Sequence, residues 1–279
     1  MKLTCLSIGS VTLPMFLAAA AQGQMAISGY MVNPPGTDSP YEYVQLVALQ
    51  SIDFSAHNMS VVVCNNGTAT TAGWAAGGTV SYKFNLTSGS VTAGEIFYVG
   101  GSGKLINGAG STDISSANWL YTINTATTGG DGFGSAASNV FGNGGSSPDG
   151  IALFNTTTVT SSTVPVDAVF YGSGTGSVVN GGVDGYQLPV NDLYNGGKLQ
   201  TTSTLLPDPA GGDFTKLSGT YDTSSGTWTM ARTGTIINSP AQLSDIASQI
   251  TTVPEPASLA VVGLGSLLAL GTLRRHRRA

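Results

Sequence analysis

The fold is decided by the stretch VSYKFNL at residues 80–86, in which apolar and polar side chains alternate. Successive side chains of a β-strand point to opposite faces of the sheet, so this period of two predicts a half-buried strand. Further runs rich in β-forming residues lie on either side of it. They are Ile27 to Val32, Tyr43 to Leu49, Ser60 to Asn65, Glu95 to Val99, Gly150 to Phe154 and Val164 to Tyr171.

The segments between these runs are rich in turn-forming residues. Five Asn-Gly and three Asp-Gly pairs tolerate the positive φ of tight turns, and a late hairpin is predicted from Lys216 to Thr233. Short strands without crossover helices are typical of an all-β antiparallel sandwich. We therefore predict a β domain over residues 25–238, of which 173–238 are a loop-rich extension.

A short helix is predicted after the β domain, within residues 239–252. Ser239 followed by Pro240 and Gln242 has the pattern of a capping box with proline at the first helical position. The apolar residues that recur behind it at helical spacing are Leu243, Ile246, Ala247 and Ile250. This helix would link the β domain to the C-terminal segment.

The charge balance limits the partners of the chain. Charged residues make up 9% of the sequence. Between Met25 and Thr252 there are five basic and fourteen acidic side chains, a net charge of −9. Such a surface repels nucleic acid and anionic lipid, so nucleic-acid binding is excluded as a function.

The N-terminus has the order of a secretory signal. Lys2 is followed by a broken apolar stretch from Leu3 to Ala21 that ends in small residues. We predict a signal helix within residues 1–24, a secretion translocon as partner, and cleavage between Ala21 and Ala26. Cys5 would be removed with it, which leaves Cys64 without a disulfide partner in the same chain. Cys64 closes an apolar run and is predicted to be a small buried hydrophobe, with intermolecular pairing as the alternative.

The C-terminus has three parts in fixed order. A Val-Pro-Glu-Pro sequence precedes an apolar run at 257–273, and four arginines follow. Seventeen helical residues rise about 26 Å, close to the hydrocarbon core of a bilayer, so the run predicts a transmembrane helix. The arginines predict a cytoplasmic end, which places everything before Val253 outside. The predicted site residues are Val253, Pro254, Glu255 and Pro256 in the motif and Arg274, Arg275, Arg277 and Arg278 in the cytoplasmic stop.

This tail, residues 253–279, closely resembles the PEP-CTERM sorting signal. The resemblance implies that an exosortase, a membrane protease-transpeptidase, recognises the Pro-Glu-Pro triplet and removes the helix. It also implies a Gram-negative bacterium with an exopolysaccharide-type envelope, and a protein anchored in the inner membrane before it reaches the cell surface or the extracellular matrix. The alternative is an ordinary C-terminal anchor helix with a chance Pro-Glu-Pro linker.

A second resemblance lies inside the β region. Segments at Ile27 to Asp38, Tyr41 to Leu46, Val91 to Glu95 and Asp149 to Leu153 look like successive parts of a lamin-tail domain, in the order of that family. The resemblance covers a core at about 26–172 and implies an immunoglobulin-like β-sandwich for adhesion or scaffolding, with no catalytic residues to carry over. Gln45 departs from the family, which often has an acidic residue there.

The search for chemistry yields few candidates. His57 is the one histidine of the exported part, so a hydrolase would have to use it as base, and a turn position is the favoured interpretation. The Asp-Gly pairs at Asp131, Asp149 and Asp184 are solvated turns, or loops that chelate Ca²⁺. No metal, cofactor or catalytic residue is therefore predicted.

Three tryptophans, Trp74, Trp119 and Trp228, are candidates for stacking on sugars, with core packing as the favoured role. The sequence thus predicts a non-enzymatic exported protein of the cell surface or matrix. The alternative is a surface carbohydrate-binding module that holds exopolysaccharide.

Overall fold

The computed structural model describes residues 25–64, 71–77, 80–123, 131, 141–145, 148–172, 186–189, 206–222, 227–228 and 232–253. These residues form an all-β fold with one short 3-10 turn at Gly73–Ala75. The strands are β1 (Met25–Met31), β2 (Tyr43–Ala48), β3 (Ile52–Asp53), β4 (Met59–Cys64), β5 (Ser81–Leu86), β6 (Ser90–Val91), β7 (Ile96–Gly101), β8 (Trp119–Ile123), β9 (Asp149–Phe154), β10 (Asp167–Tyr171), β11 (Asp213–Asp222), β12 (Thr227–Trp228), β13 (Thr233–Asn238) and β14 (Gln249–Val253).

The larger sheet has eight strands in the order β12-β11-β1-β2-β7-β8, with β13 and β14 also paired to β11. Most pairs are antiparallel, as predicted, but β7–β8 and β11–β14 are parallel. The predicted late hairpin is confirmed, because β11 pairs with β12 and β13. The tip proposed for it, 224–226, lies outside the described residues.

The smaller sheet has four antiparallel strands in the order β10-β9-β4-β5, and β3 and β6 form a separate two-stranded sheet. One hydrophobic cluster joins the two main sheets, with side chains such as Ile27, Val44 and Leu217 from the larger and Val61 and Leu153 from the smaller. Two layers of strands that share one core make a sandwich-like arrangement.

Strand β5 is buried on both faces, which differs from the half-buried prediction for residues 80–86. In β5 the nominally outward Ser81 is fully buried and Lys83 is 8% exposed. The Lys83 ammonium donates a hydrogen bond to the carbonyl of Thr157, so its stem lies along the sheet while its charge is satisfied. The alternating pattern at 80–86 located strand β5 correctly. It overestimated the exposure of the polar side chains, because the connection that contains Thr157 covers that face.

The outer face of the smaller sheet is sealed by aromatic residues. Trp74 is fully buried and packs on Phe170, Tyr186 and Phe154, with ring centroids 4.9, 5.2 and 6.5 Å away. Its indole nitrogen donates a 2.8 Å hydrogen bond to the carbonyl of Gln187. Gly150 lies beneath it in β9, where a Cβ would come within 3.0 Å of the Trp74 ring and 2.7 Å of the Phe170 ring. The glycine of this Asp-Gly pair therefore serves close packing in a strand.

The two main sheets are joined by a buried ion pair. Arg232 and Asp167, each with a side chain 3% exposed, are 2.7 Å apart. The peptide group of Ile27 completes the contact, since its N–H donates to Asp167 and its carbonyl accepts from the Arg232 guanidinium. Strand β1 pairs with β11 only at Gly29 and Tyr30, so the backbone groups of Ile27 have no partner in β11. The side chains of Asp167 and Arg232 satisfy them instead.

The open edge of the sandwich is closed by Asp131. Its backbone N–H donates to the carbonyl of Lys83, and its carboxylate accepts a 2.8 Å hydrogen bond from the N–H of Asn85. Burial and the hydrogen bond to Asp131 raise the pKa of Tyr121, on the facing edge strand β8, to about 12. One carboxylate thus bridges the edge strands of both main sheets.

The helix predicted within 239–252 is wrong. Ser239 has a φ of +46°, whereas a helix N-cap is normally extended. The chain instead makes a turn in which the Asp245 carboxylate accepts hydrogen bonds from the N–H groups of Ala241 and Gln242. Residues 249–253 then pair with 218–222 of β11. This part of the edge of β11 is free because β1 pairs only with Thr215 and Lys216. Pairing with a free strand edge outweighs the local helical pattern.

The start of β1 and the end of β14 lie at the same end of the larger sheet. Strand β1 runs antiparallel to β11 and β14 runs parallel to it, so the start of β1 and the end of β14 both lie towards the Asp222 end of β11, where Val253 pairs with Asp222. The predicted signal segment (1–24) and transmembrane helix (257–273) lie outside the described residues. Among the residues that are described, no helix has the length and apolar character needed to cross a membrane.

Candidate functional site

A groove of about 700 Å³ lies on the outer face of the larger sheet. Its floor is formed by alternate residues of β2 and β7, among them Val47 and Ile96, and by Leu49 just after β2. The turn at 243–248 and strand β14 make one wall, and residues 117–118 make the other. The period of two that directs half of each strand to the core directs these residues into the groove.

Gln45 fixes one wall of the groove to its floor. It is 1% exposed, and its amide nitrogen donates to the hydroxyl of Tyr98 at 3.0 Å and to the carbonyl of Ile246 at 2.9 Å. Its amide oxygen accepts a 2.9 Å hydrogen bond from Ser28. Gln45, which departs from the lamin-tail pattern, thus holds the 243–248 turn against the sheet.

The wall formed by the turn and β14 carries an exposed aliphatic side chain. Leu243 lines the groove and is 43% exposed, although it is a large aliphatic residue. Ile250 and Thr252 of β14 line the same side. Thr251, which alternates with them, bonds to the Thr220 hydroxyl of β11 at 2.9 Å. The groove therefore follows β14 to within one residue of Val253.

The opposite wall depends on Glu95. Its carboxylate accepts hydrogen bonds from the N–H of Thr92 at 2.9 Å and from the side chain of Asn118 at 2.7 Å. These hydrogen bonds, that of Thr92 first, lower the pKa of Glu95. The carboxylate is thus occupied in holding Asn118, which lines the groove, while Glu95 itself does not.

The lining of the groove is uncharged. Its described residues offer amides, hydroxyls and aliphatic carbons. Burial raises the pKa of Tyr98, which therefore stays protonated at neutral pH. Such a surface suits the binding of an uncharged or apolar ligand, since it offers neither a general base nor a charged group for polar chemistry.

His57 lies in the exposed turn after β3, as the sequence predicted. Its backbone N–H donates a 2.9 Å hydrogen bond to the carbonyl of Asp53. Within the described ranges, no group of three or more histidine, cysteine, aspartate or glutamate side chains could hold a metal ion. His57 and the groove occupy different parts of the fold, since His57 does not line it.

The tryptophans differ in what they leave exposed. Trp74 is fully buried, so it packs in the core and cannot stack on a sugar. Trp119 is half-buried, and its ring already stacks on Tyr98 at 5.1 Å and lies under the ammonium of Lys104. Trp228 is in β12, and its side chain is outside the described part of the chain.

The Asp-Gly pairs and Cys64 have structural roles where they are described. Asp131 closes the sandwich edge, and buried Asp149 accepts a 2.7 Å hydrogen bond from the N–H of Gly144. Asp184 lies outside the described residues. Cys64 is a free, buried cysteine, as predicted, and burial and the nearby Asp149 raise the pKa of its thiol. A thiol held protonated in this way is a poor nucleophile.

The sorting residues begin where the described structure ends. Val253 is the last residue of β14, and Pro254, Glu255 and Pro256 follow it outside the described residues. The predicted cytoplasmic arginines also lie outside them. The folded domain therefore leads into the Pro-Glu-Pro sequence without an intervening linker.

The C-terminal sequence belongs to a class of signals that direct exported proteins to the cell envelope. Residues 252–278 match the PEP-CTERM protein-sorting motif. The chain thus carries this motif, as the sequence predicted, and the match supports export and sorting by an exosortase. No curated protein matches the sequence.

The groove was not predicted from the sequence. Its floor and walls come from β2, β7, residues 117–118 and residues 243–252, which are distant in the chain and are brought together by the pairing of β14 and by the hydrogen bond from Gln45 to Ile246. A usable signal was present in the apolar residues of 243–250, which were assigned to a helix. In the structure Leu243 and Ala247 line the groove wall, Ile246 is buried, and Ile250 belongs to strand β14.

Proposed function

We propose that this chain is a non-enzymatic exported protein of the cell surface or extracellular matrix, sorted by an exosortase through its C-terminal tail. The observation that carries the proposal is the PEP-CTERM match at residues 252–278, which begins in the last strand of a β domain. The predicted route begins with a signal peptide and the secretion translocon, continues with temporary anchoring by 257–273, and ends with removal of that helix.

The β domain is the part that the tail would deliver. Its uncharged groove supports a role in contact or scaffolding. We propose an immunoglobulin-like, lamin-tail-like sandwich, which is supported by strands β1, β2 and β9 at segments that resemble that family and by β7 directly after the segment from Val91 to Glu95. Since one fold serves many functions, this likeness supports an architecture and assigns no ligand.

Carbohydrate binding, the alternative from the sequence, gains no support from the described tryptophans. Trp74 is buried and the Trp119 ring is occupied by Tyr98 and Lys104. Stacking on a sugar needs an open aromatic face. We therefore retain display at the surface as the proposed function.

The test compares the native host with a strain that lacks its exosortase gene. In the wild-type strain, mass spectrometry of surface fractions should find the chain without residues beyond the motif. In the deletion strain, and for Pro254→Ala, the chain should accumulate in the inner membrane with Ala279 retained. Glu255→Gln should also slow processing, whereas Asp53→Asn, the same charge change at the exposed end of β3, should not.

One result would contradict the proposal directly. This is a full-length chain in the cytosol of the wild-type strain, with both Met1 and Ala279 present. A chain that is exported but keeps Ala279 in both strains would instead support the ordinary anchor helix.

A further inference from the structure

The groove lies next to the point where the tail leaves the domain. Thr252 lines it, Val253 ends β14, and only Pro254, Glu255 and Pro256 separate Val253 from the predicted membrane helix. Three residues span at most about 10 Å even when fully extended. Any protein that grips this triplet at the membrane surface must therefore contact the adjacent end of the folded domain.

The groove is located at that same end of the larger sheet. Val47 pairs with Ile96, and Ala48 pairs with Met25, the first residue of β1. Val47, Ala48 and Ile96 line the groove together with Ala93 and Gly94 from the connection before β7. The groove thus reaches the end of the sheet from which the tail leaves, and the predicted tail topology places this end next to the membrane.

We propose that this groove is a docking surface for an apolar, uncharged extracytoplasmic segment of the sorting protease, so that recognition extends from the tail onto the domain. The inference rests on the proposed function. It is supported by the short reach of the triplet, by the uncharged lining, and by Leu243, an aliphatic side chain left 43% exposed on the groove wall. An exposed leucine beside a required contact is a natural anchor for a partner.

The first test changes the groove and leaves the motif intact. Full-length chains with Leu243→Ser or with Val164→Ser are expressed in the native host, and conversion of precursor to processed chain is followed after a pulse of label. Val164 is the matched control, because it is 44% exposed but lies outside the groove, in the connection from β9 to β10. Leu243→Ser should slow conversion about tenfold, whereas Val164→Ser should leave it unchanged.

The second test asks whether the domain is recognised with β14 in place. Thr220 and Thr251 are paired across β11 and β14, so Thr220→Cys combined with Thr251→Cys offers a disulfide between these strands. In an oxidising envelope this bond would keep β14 on the sheet. Docking on the folded domain predicts that the oxidised variant is processed as fast as its reduced form.

The outcomes separate the two proposals. Unchanged conversion of Leu243→Ser, or a block of processing by the disulfide, would overturn the docking surface and favour removal of β14 from the sheet before cleavage. Absence of any exosortase-dependent conversion in the wild-type chain would overturn the proposed function itself. Protease resistance of each purified precursor shows whether the variants are folded, and a Leu243→Ala variant replaces Leu243→Ser if the latter is not.

Discussion

The two outer faces of the sandwich are covered in different ways. On the smaller sheet, fully buried Trp74 packs between Phe170 and Tyr186 and leaves a sealed face. On the larger sheet, an aromatic group around Tyr98 covers one part, and the groove remains beside it. The comparison shows that the outer face of the smaller sheet is closed by packing, whereas that of the larger sheet keeps an open groove.

The largest effect is expected when the sealed face is opened. Trp74→Ala should lower the free energy of unfolding by roughly 4 kcal/mol, because it removes a buried indole and leaves a cavity. The matched variant on the grooved face, Trp119→Ala, should cost only about 1–2 kcal/mol, since that ring is half-buried. Urea unfolding of the exported chain measures both.

Cys64 provides an independent readout of the same comparison. It packs in the cluster that contains Trp74. Trp74→Ala should therefore accelerate alkylation of the Cys64 thiol much more than Trp119→Ala does. Equal losses of stability, or equal rates of alkylation, would show that the two faces do not differ as described.

The next largest effect concerns the contact between the two sheets. Arg232→Ala should lower the free energy of unfolding by about 3 kcal/mol, because it leaves the Asp167 carboxylate buried without its partner. Asp167→Asn combined with Arg232→Met should be less destabilising than Arg232→Ala, since no buried charge remains. A double variant as unstable as the single one would show that the ion pair is not the source of the effect.

The sequence was sufficient to predict most strands of the two sheets but not the contacts between them. The alternation at 80–86 and the other apolar runs were sufficient to place strands β1, β2, β4, β5, β7, β9 and β10, because local periodicity reports a strand directly. The partners of Arg232 and the role of Asp131 were not predictable, since each depends on residues distant in the chain. The helix prediction for 239–252 failed for the same reason. The helical pattern lies within the segment itself, whereas the free edge of β11 with which it pairs is distant in the chain.

The groove illustrates the limit most clearly. The sequence offers Leu243, Ile250 and Gln45 as residues of the groove, but each has another interpretation there. Leu243 and Ile250 fitted a helix, and Gln45 departed from a family resemblance. The C-terminal motif was predictable, in contrast, because its recognition depends on contiguous residues and not on tertiary contacts.

The smallest effect is expected at the edge where the two sheets meet, away from both outer faces. Asp131→Ala should cost about 1 kcal/mol, because the N–H of Asn85 loses its acceptor. The same change should lower the pKa of Tyr121 from its value of about 12, since both the charge and the hydrogen bond of Asp131 raise it. A pH titration of phenolate absorbance, with Tyr121→Phe to identify the signal, measures this shift.

The sign of the pH dependence follows from that pKa. The folded chain favours neutral Tyr121, so its contribution to stability is complete below the unfolded pKa near 10 and is lost as the pH rises towards about 12. Asp131→Ala should weaken this loss of stability in alkali. An unchanged alkaline profile would show that Asp131 does not act on Tyr121.

The parallel pairing of β14 with β11 has a mechanical consequence. A protein held at a surface by its C-terminal end experiences drag on its body, and that load reaches the domain first at Val253. Pulling β14 along its own axis shears all five residue pairs with β11 at once instead of opening them one after another. Forced unfolding is governed by the unfolding rate, so this geometry should slow the separation of β14 from the sheet when a tethered domain is pulled by flowing water.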